Sequence, residues 1–161
     1  ARILRGSVNR DADLACLLKA QLLFWMLAAT DGHAKNFSIR ILSQGRFRLT
    51  PLYDVLSIRP IMGEGPDKIS WHNARLAMSV RGTNKHYLLK NIQRRHFNAM
   101  AAQCGVAETA EPLIQDILTA TPAVIASVQK DLPQGFPQQV LDAILQGLMK
   151  SAEQLEAMPA A

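Results

Sequence analysis

The sequence has no hydrophobic run long enough to cross a membrane, and it has little cysteine. Its longest apolar stretch, residues 22–29, is much shorter than the roughly 20 residues of a membrane-spanning helix. No apolar segment directly follows the arginines near the start of the sequence, as it would in a secretory signal peptide. The two cysteines, Cys16 and Cys104, lie far apart without metal-site spacing, which predicts buried free thiols. We therefore expect a folded protein of the reducing cytoplasm.

Two kinds of binding motif are also missing. The sequence contains no glycine-rich phosphate loop of the Walker or G-x-G-x-x-G type. The four histidines, His33, His72, His86 and His96, are isolated along the chain and have no cysteine at ligand spacing. No zinc site is therefore predicted, and neither is a P-loop or dinucleotide-binding motif.

Charge is distributed unevenly over the 161 residues. Residues 1–100 contain 16 lysines and arginines against six acidic residues, whereas residues 101–161 contain two against seven. A basic half of this kind either attracts nucleotide phosphates, nucleic acid or an acidic protein, or forms an ordinary solvated surface. Residues 85–97 hold a basic cluster with Tyr87 and Phe97 nearby, for which a solvated helix face is favoured over a polyanion site.

A long buried helix is the first strong structural signal. Residues 14–29 are rich in leucine, alanine and methionine and contain neither glycine nor proline, and Asp11 is placed to cap the start of the helix. Residues 30–32 are expected to end it, with Gly32 in a positive φ. The polar residues around this point are thus predicted to lie in a loop mounted on a rigid helix, which suits groups that need fixed positions.

A β-hairpin is predicted directly after this loop. Residues 37–42 and 46–50 alternate in hydrophobicity, and a Ser-Gln-Gly turn at 43–45 joins them. A hairpin folds the chain back on itself. It is therefore expected to bring Asp54 close to Asn36.

The rest of the chain reads mainly as helix. Residues 57–67 are irregular, 69–72 and 76–78 are short apolar segments, and 82–84 mark a turn. Helices are predicted at 86–104, 108–119, 121–131 and 137–157, with Thr121 as a cap before Pro122, and with Pro137 opening the last helix. The predicted fold class is mainly α with a small β-hairpin, in a single domain covering residues 1–161.

Three polar residues form a candidate site for magnesium-dependent phosphoryl transfer. Asp31 and Asn36 have the spacing of the catalytic aspartate and metal-binding asparagine of kinase loops, and Asp54 follows the hairpin. Asp31 is expected to orient an acceptor hydroxyl or take its proton, while Asn36 and Asp54 offer the oxygen ligands that Mg²⁺ prefers. His33 and Lys35 are candidates for phosphate contact, with a loop-packing histidine and a surface lysine as the alternatives. An isolated Asp-Gly pair is usually only a turn, so the inference depends on the whole set.

These residues carry a resemblance to a known family. Residues 27–38 (LAATDGHAKNFS) resemble the catalytic loop of the HipA-type serine/threonine kinases, the toxins of bacterial toxin–antitoxin pairs. Residues 49–57 (LTPLYDVLS) resemble their metal-binding segment, and residues 68–78 with the helical remainder are similar to the rest of the C-terminal lobe in this family. The Asp-x-His-x-x-Asn pattern is also similar to kinases of the phosphatidylinositol 3/4-kinase type. The resemblance implies the C-terminal lobe of a protein-kinase-like α+β fold.

The resemblance further implies roles and partners. Asp31 would be the catalytic aspartate, and Asn36 and Asp54 would bind magnesium. ATP and Mg²⁺ would be the cofactors, and the phosphate would pass to a serine of a protein, typically an aminoacyl-tRNA synthetase. A helix-turn-helix antitoxin would be the cognate partner, and operator DNA would be bound only through that complex.

One part of the family pattern is missing from the sequence. Nothing in residues 1–30 resembles the N-terminal lobe, which supplies the phosphate-covering loop and the nucleotide-contacting lysine. We therefore expect a C-terminal kinase lobe that is inactive without the missing lobe. The alternative is a non-catalytic module that contacts an antitoxin or DNA through its basic half.

Overall fold

The computed structural model describes residues 1–160. Within them, four α-helices and two antiparallel two-stranded sheets form the regular structure: α1 (Arg10–Met26), β1 (Ile39–Ile41), β2 (Phe47–Leu49), β3 (Arg75–Arg81), β4 (Lys85–Leu88), α2 (Arg94–Cys104), α3 (Glu111–Lys130) and α4 (Gln138–Ala157). The chain is therefore mainly helical and compatible with an α+β fold, and it has a second hairpin that the sequence did not predict. No helix in this range has the length and apolar character needed to span a membrane.

Helix α1 forms the centre of the core because it is apolar on most of its faces. Leu14, Leu18, Leu22 and Trp25 are each at most 1% exposed. The helix contacts α2, α3 and α4 on one hand and strands β2 and β3 on the other. Removal of this apolar surface from water is the main force that holds these elements together. The prediction of a long buried helix is confirmed.

Both ends of α1 differ from the prediction. Asn9, and not Asp11, occupies the N-cap position, and the helix ends at Met26. The turn after it places the positive φ at Ala28, with 51°, and not at Gly32. The chain therefore leaves the helix earlier than expected, and the loop begins inside the core.

The first hairpin is confirmed. Strands β1 and β2 pair antiparallel, with Ile39 opposite Leu49 and Ile41 opposite Phe47. The reversal at its tip uses a left-handed backbone at Gln44 and at Gly45, with φ of 61° and 71°. Glycine adopts this conformation without steric cost, which explains its position at the end of the turn.

A second hairpin stands where the start of a helix was predicted. Residues 86–93 do not form an α-helix: β4 pairs with β3, with Val80 opposite His86 and Arg81 opposite Lys85. A 3₁₀ turn at Leu89–Asn91 follows, and α2 begins at Arg94. Pairing across the turn at 82–84 decides the conformation of this segment. Local preference is a weak guide for short strands because neighbouring strands determine their stability.

Helix α3 is continuous, so the predicted break before Thr121 is wrong. Pro122 lies inside the helix, where it removes one backbone hydrogen bond. The hydroxyl of buried Thr121 donates to the carbonyl of Ile117 at 2.7 Å instead of capping a new helix. Packing of α3 against α1 and α4 keeps the helix together across the proline. Helix α4 begins directly after Pro137, as predicted.

The two cysteines are free thiols. Cys104 is partly buried, but Cys16 is exposed, so its predicted burial is wrong. Partial desolvation of the sulfur raises the pKa of the Cys16 thiol, and the nearby carboxylate of Asp13 adds to the effect.

Candidate active site

Backbone hydrogen bonds hold the loop that carries Asp31. The carbonyl of Ala28 accepts the N–H of Ile58 at 3.2 Å. The carbonyl of Thr30 accepts the N–H of Ala77, in β3, at 3.0 Å. The loop is therefore fixed on one side to the segment after the first hairpin and on the other to the second hairpin.

Gly32 is required because the loop passes directly over an aromatic ring. A Cβ atom at this position would lie 2.6 Å from a ring carbon of Phe24, closer than non-bonded carbon atoms approach. Phe24 is 1% exposed and packs edge-on against Phe37, with ring centroids 5.9 Å apart. These two rings set the height of the loop above the core.

The first hairpin brings Asn36 and Asp54 into direct contact, as predicted. Asn36 is 2% exposed, and its amide Nδ2 donates to Oδ2 of Asp54 at 3.0 Å. Its Oδ1 accepts the backbone N–H of His33 at 2.8 Å. Both ends of the amide are used, so Asn36 ties the loop to the segment that carries Asp54.

Tyr53 is a further part of this arrangement, and the sequence reasoning did not single it out. Its hydroxyl donates to the carbonyl of Lys35 at 2.7 Å and lies 2.7 Å from Oγ of Ser38. The neighbouring Asp54 has a φ of 56°, a conformation that costs energy for a residue with a side chain and that clusters at functional sites. The contacts of Tyr53 help to hold that conformation. Its only signal in the sequence is its place beside Asp54.

Asp31 lies where the loop emerges from the core. Its side chain is 81% exposed, and its Oδ1 lies 3.9 Å from Nε2 of His33. Nδ1 of His33 is buried without a hydrogen-bond partner in the described part of the chain, while Lys35 is exposed. The structure thus joins Asn36 to Asp54 and leaves the carboxylate of Asp31 open to a ligand from solvent, with His33 beside it.

The oxygen atoms of Asn36 and Asp54 fit a magnesium ion in kind, but they are few. Oδ1 of Asn36 accepts one hydrogen bond and keeps a second lone pair, and the exposed Asp54 offers a carboxylate of which Asn36 engages one oxygen. Across residues 1–160, no three histidine, cysteine or acidic side chains converge on one point. Mg²⁺ usually keeps several waters and shares its coordination with substrate phosphates. The residues therefore fit an ion that arrives with a nucleotide better than an ion bound alone.

Two residues that sequence reasoning missed fix the end of α1. Ser57 Oγ donates to the carbonyl of Leu27 at 2.6 Å, and Nη2 of Arg59 donates to the carbonyl of Met26 at 3.1 Å. Nη2 of Arg59 also bonds to the hydroxyl of Ser151, in α4. Burial lowers the pKa of Arg59, and the carbonyls at the negative end of the helix dipole compensate its charge.

The basic cluster at 85–97 does not form one solvated face. Arg94 is paired with Glu111, its Nε lying 3.0 Å from both carboxylate oxygens. This hydrogen-bonded pair lowers the pKa of the Glu111 carboxyl and raises that of Arg94. His86 and His96, expected to be isolated, stack with ring centroids 3.6 Å apart, and burial together with the charge of His86 lowers the pKa of His96 to about 4. Part of the cluster is therefore engaged in ion pairing and ring stacking within the fold.

The geometry defines a mainly helical domain with an exposed aspartate loop beside a bonded asparagine–aspartate pair. The sequence matches the family model of the HipA-like C-terminal domain over residues 1–125. This match covers well over half of the chain, and the chain belongs to the HipA-like family. The matched range includes the candidate site, both hairpins and α2, whereas α4 lies beyond it.

Proposed function

We propose that this chain is the catalytic C-terminal lobe of a HipA-type serine/threonine protein kinase. Membership of the HipA-like family, which includes kinases, supports the proposal. The observation that carries it is the 3.0 Å contact between Asn36 and Asp54 next to the loop of Asp31. The contact, made through Nδ2 of Asn36, holds together two side chains that also carry oxygen atoms and are 18 residues apart in sequence. Asp31 precedes Asn36 at the spacing used in kinase loops.

In the proposed reaction, a serine hydroxyl oxygen attacks the γ-phosphorus of ATP, the bond from that phosphorus to the bridging oxygen breaks, and ADP leaves. Asp31 orients the hydroxyl and accepts its proton, a role that suits an exposed carboxylate on an anchored loop. Bound magnesium would neutralise phosphate charge, with Asn36 and Asp54 as its protein ligands. His33 and Lys35 lie on the same loop and are proposed to contact the transferred phosphate.

The partners belong to the proposal as well. A second lobe would cover the nucleotide, because the residues of this site provide the acceptor side and the metal side only. The substrate would be a protein serine, as on an aminoacyl-tRNA synthetase, in the cytoplasm. A helix-turn-helix antitoxin would bind the kinase, and operator DNA would be contacted through that complex. A lipid kinase of the phosphatidylinositol 3/4-kinase type is the weaker alternative.

The test is phosphate transfer from ATP by the protein in which this chain is joined to its nucleotide-covering lobe. Asp31→Asn is expected to reduce the turnover about 10²–10⁴-fold, because the proton acceptor is lost. Asp54→Asn is expected to reduce the turnover and also to raise the magnesium concentration needed for half-maximal rate, an effect that Asp31→Asn should not share. Asp67→Asn, at an exposed aspartate of the irregular segment, is the matched control. Full turnover in both site variants would refute the proposal.

A non-catalytic module that binds an antitoxin or DNA is the second candidate, and the charge of residues 1–100 favours it. Binding of this kind weakens as salt rises, because counterions are released from the polyanion. The measurement is the affinity of the 161-residue chain for the antitoxin and for operator DNA at low and at physiological ionic strength. Absence of binding at low salt argues against this candidate.

A further inference from the structure

A cleft of about 900 Å³ lies between α1, the first hairpin, β3 and residues 1–5. Its wall is largely apolar and includes Ile3 and Ile39, which are 69% and 42% exposed, together with the partly buried Phe37. It adjoins the loop of the candidate active site through Ala34, but Asp31, Asn36 and Asp54 are not among its lining residues. Large apolar side chains left exposed around a concave surface mark a place where another molecule binds.

Gln21, on the wall of this cleft, supplies an independent sign of a missing ligand. The residue is 1% exposed, and neither Oε1 nor Nε2 has a hydrogen-bond partner within residues 1–160. A buried amide without partners destabilises the fold by leaving a donor and an acceptor unsatisfied. A ligand that offers one N–H and one carbonyl side by side would satisfy both. In an extended chain, the N–H and the C=O of one residue point to the same side and form such a pair.

The charges around the cleft define the occupant further. Arg2, Arg5 and Arg81 line it, and no aspartate or glutamate does. None of the three arginines forms a salt bridge with a carboxylate within residues 1–160. The cleft therefore combines apolar walls with unneutralised positive charge, and its complement is a ligand that carries apolar and acidic groups together.

Strand β3 gives the cleft an elongated wall that suits an extended chain. Residues Ala77, Met78, Ser79 and Arg81 of this strand all line it. The strand belongs to a sheet of only two strands, so within residues 1–160 it has a strand neighbour on one side. Extended peptides commonly bind beside such strands, with side chains alternating between the pocket and solvent.

We propose that this cleft binds an extended segment of a partner protein in which acidic and apolar residues alternate. The apolar side chains contact the wall near Phe37 and Ile39, and the acidic side chains meet the arginines. The backbone N–H and C=O of one extended residue pair with the amide of Gln21. Because Oε1 and Nε2 of Gln21 are buried in the free chain, this pairing requires the side chain to rotate towards the cleft. This interaction surface does not depend on phosphoryl transfer at the candidate active site.

The test uses the full chain and a fluorescein-labelled octapeptide of alternating leucine and glutamate, with fluorescence anisotropy as the measurement. Gln21→Met is expected to weaken binding about tenfold, because two hydrogen bonds are lost, and to raise the melting temperature of the free chain, because the unpaired amide is gone. Arg81→Glu and Arg81→Gln are expected to weaken binding at least tenfold and to do so less at high salt. Arg40→Glu, on the exposed face of β1 outside the cleft, is the matched control.

A peptide of alternating leucine and lysine separates specific recognition from hydrophobic adsorption and is expected not to bind. Equal affinity for both peptides, or no affinity of the native chain for the acidic peptide, would overturn the proposal. So would undiminished binding by Gln21→Met, or loss of binding in Arg40→Glu as large as that in Arg81→Glu. Binding of adenosine in place of the peptide would assign the cleft to a nucleobase and overturn it too.

Discussion

Replacement of Gly32 by alanine is expected to displace the Asp31 loop while leaving the rest of the fold in place. The new Cβ would lie 2.6 to 2.8 Å from three ring carbons of Phe24, whereas carbon atoms in contact are about 3.5–4.0 Å apart. Phe24 is 1% exposed, so its ring has no open space to enter. The φ of Gly32 is not in the left-handed region, and the effect is therefore one of contact and not of backbone strain.

The size of the effect depends on the overlap of about 1 Å. Inserting a carbon atom into a packed core in this way costs about 1–3 kcal/mol, which is shared between movement of the ring and movement of the loop. A shift of about 1 Å in the loop is enough to reduce a reaction rate about 10²-fold. Gly32→Ala should therefore lower the free energy of unfolding by about 2 kcal/mol.

Urea denaturation of four proteins tests this explanation: the native chain, Gly32→Ala, Phe24→Leu and the double variant. Leucine removes the ring carbons that the new Cβ would meet, so Gly32→Ala should cost at least about 1 kcal/mol less when Phe24 is already leucine. Gly6→Ala is the control, since its Cβ would meet the ring of Phe47 at an ordinary 3.4 Å. Additive effects, within about 0.5 kcal/mol, would show that contact with Phe24 is not the reason for the glycine.

Two further predictions concern pH. Arg94→Met should lower the free energy of unfolding by about 2 kcal/mol, because it removes the cationic partner of the partly buried Glu111 carboxylate and leaves it only the hydrogen bond from Asn98. Pairing lowers the folded-state pKa of Glu111, so the pair stabilises the fold above the ordinary pKa of 4.5, and this stabilisation is lost as pH falls through the folded-state pKa. The free energy of unfolding, measured by urea denaturation, should therefore change less between pH 7 and pH 3 in Arg94→Met than in the native chain. An equal change in both proteins would contradict this. His96 has a pKa of about 4 in the fold against 6.5 ordinarily, so the native chain should lose stability as pH falls from about 6.5 towards 4. In His96→Phe, the melting temperature should therefore fall less over this pH range than it does in the native chain. An equal fall of the melting temperature in both proteins would argue against this role of His96.

The parts of the site that the sequence predicts are those that local contacts determine. The sequence of α1 alone indicates that the helix is largely buried, since its apolar side chains occur on most of its faces. The first hairpin is predicted by two alternating segments and a turn, and the proximity of Asn36 and Asp54 is a consequence of the hairpin. In the hairpin and in the contact between Asn36 and Asp54, the interacting residues are at most 18 positions apart.

The parts that the sequence does not predict depend on distant contacts or on backbone geometry. Strand β4 forms because it pairs with β3, and the sequence of either segment by itself does not indicate this pairing. The positive φ of Ala28 is held where its carbonyl meets the N–H of Ile58, 30 residues later. The stacking of His86 and His96 likewise needs the turn between β4 and α2. None of these contacts leaves a periodic signal in the sequence.

The candidate site combines one buried side chain with two exposed ones, an arrangement that suits a site open to large substrates. Asn36 is 2% exposed, whereas Asp31 and Asp54 are both exposed. The buried amide therefore fixes the positions of groups that themselves remain accessible to a ligand. Mutation of the buried amide should then act by displacing the groups around it, whereas mutation of either carboxylate should act by removing the reactive group itself.

The positions of these groups also depend on a helix beyond the range that the family model matches. Arg59 connects the carbonyl of Met26, at the end of α1, to Ser151 in α4. Gly147 of α4 makes room for this side chain, because a Cβ there would lie 2.5 Å from Cδ of Arg59. A guanidinium placed this close to two helices fixes their distance, and the loop of Asp31 begins where α1 ends. Helix α4 is therefore part of the support of the site, although it contributes no residue to it.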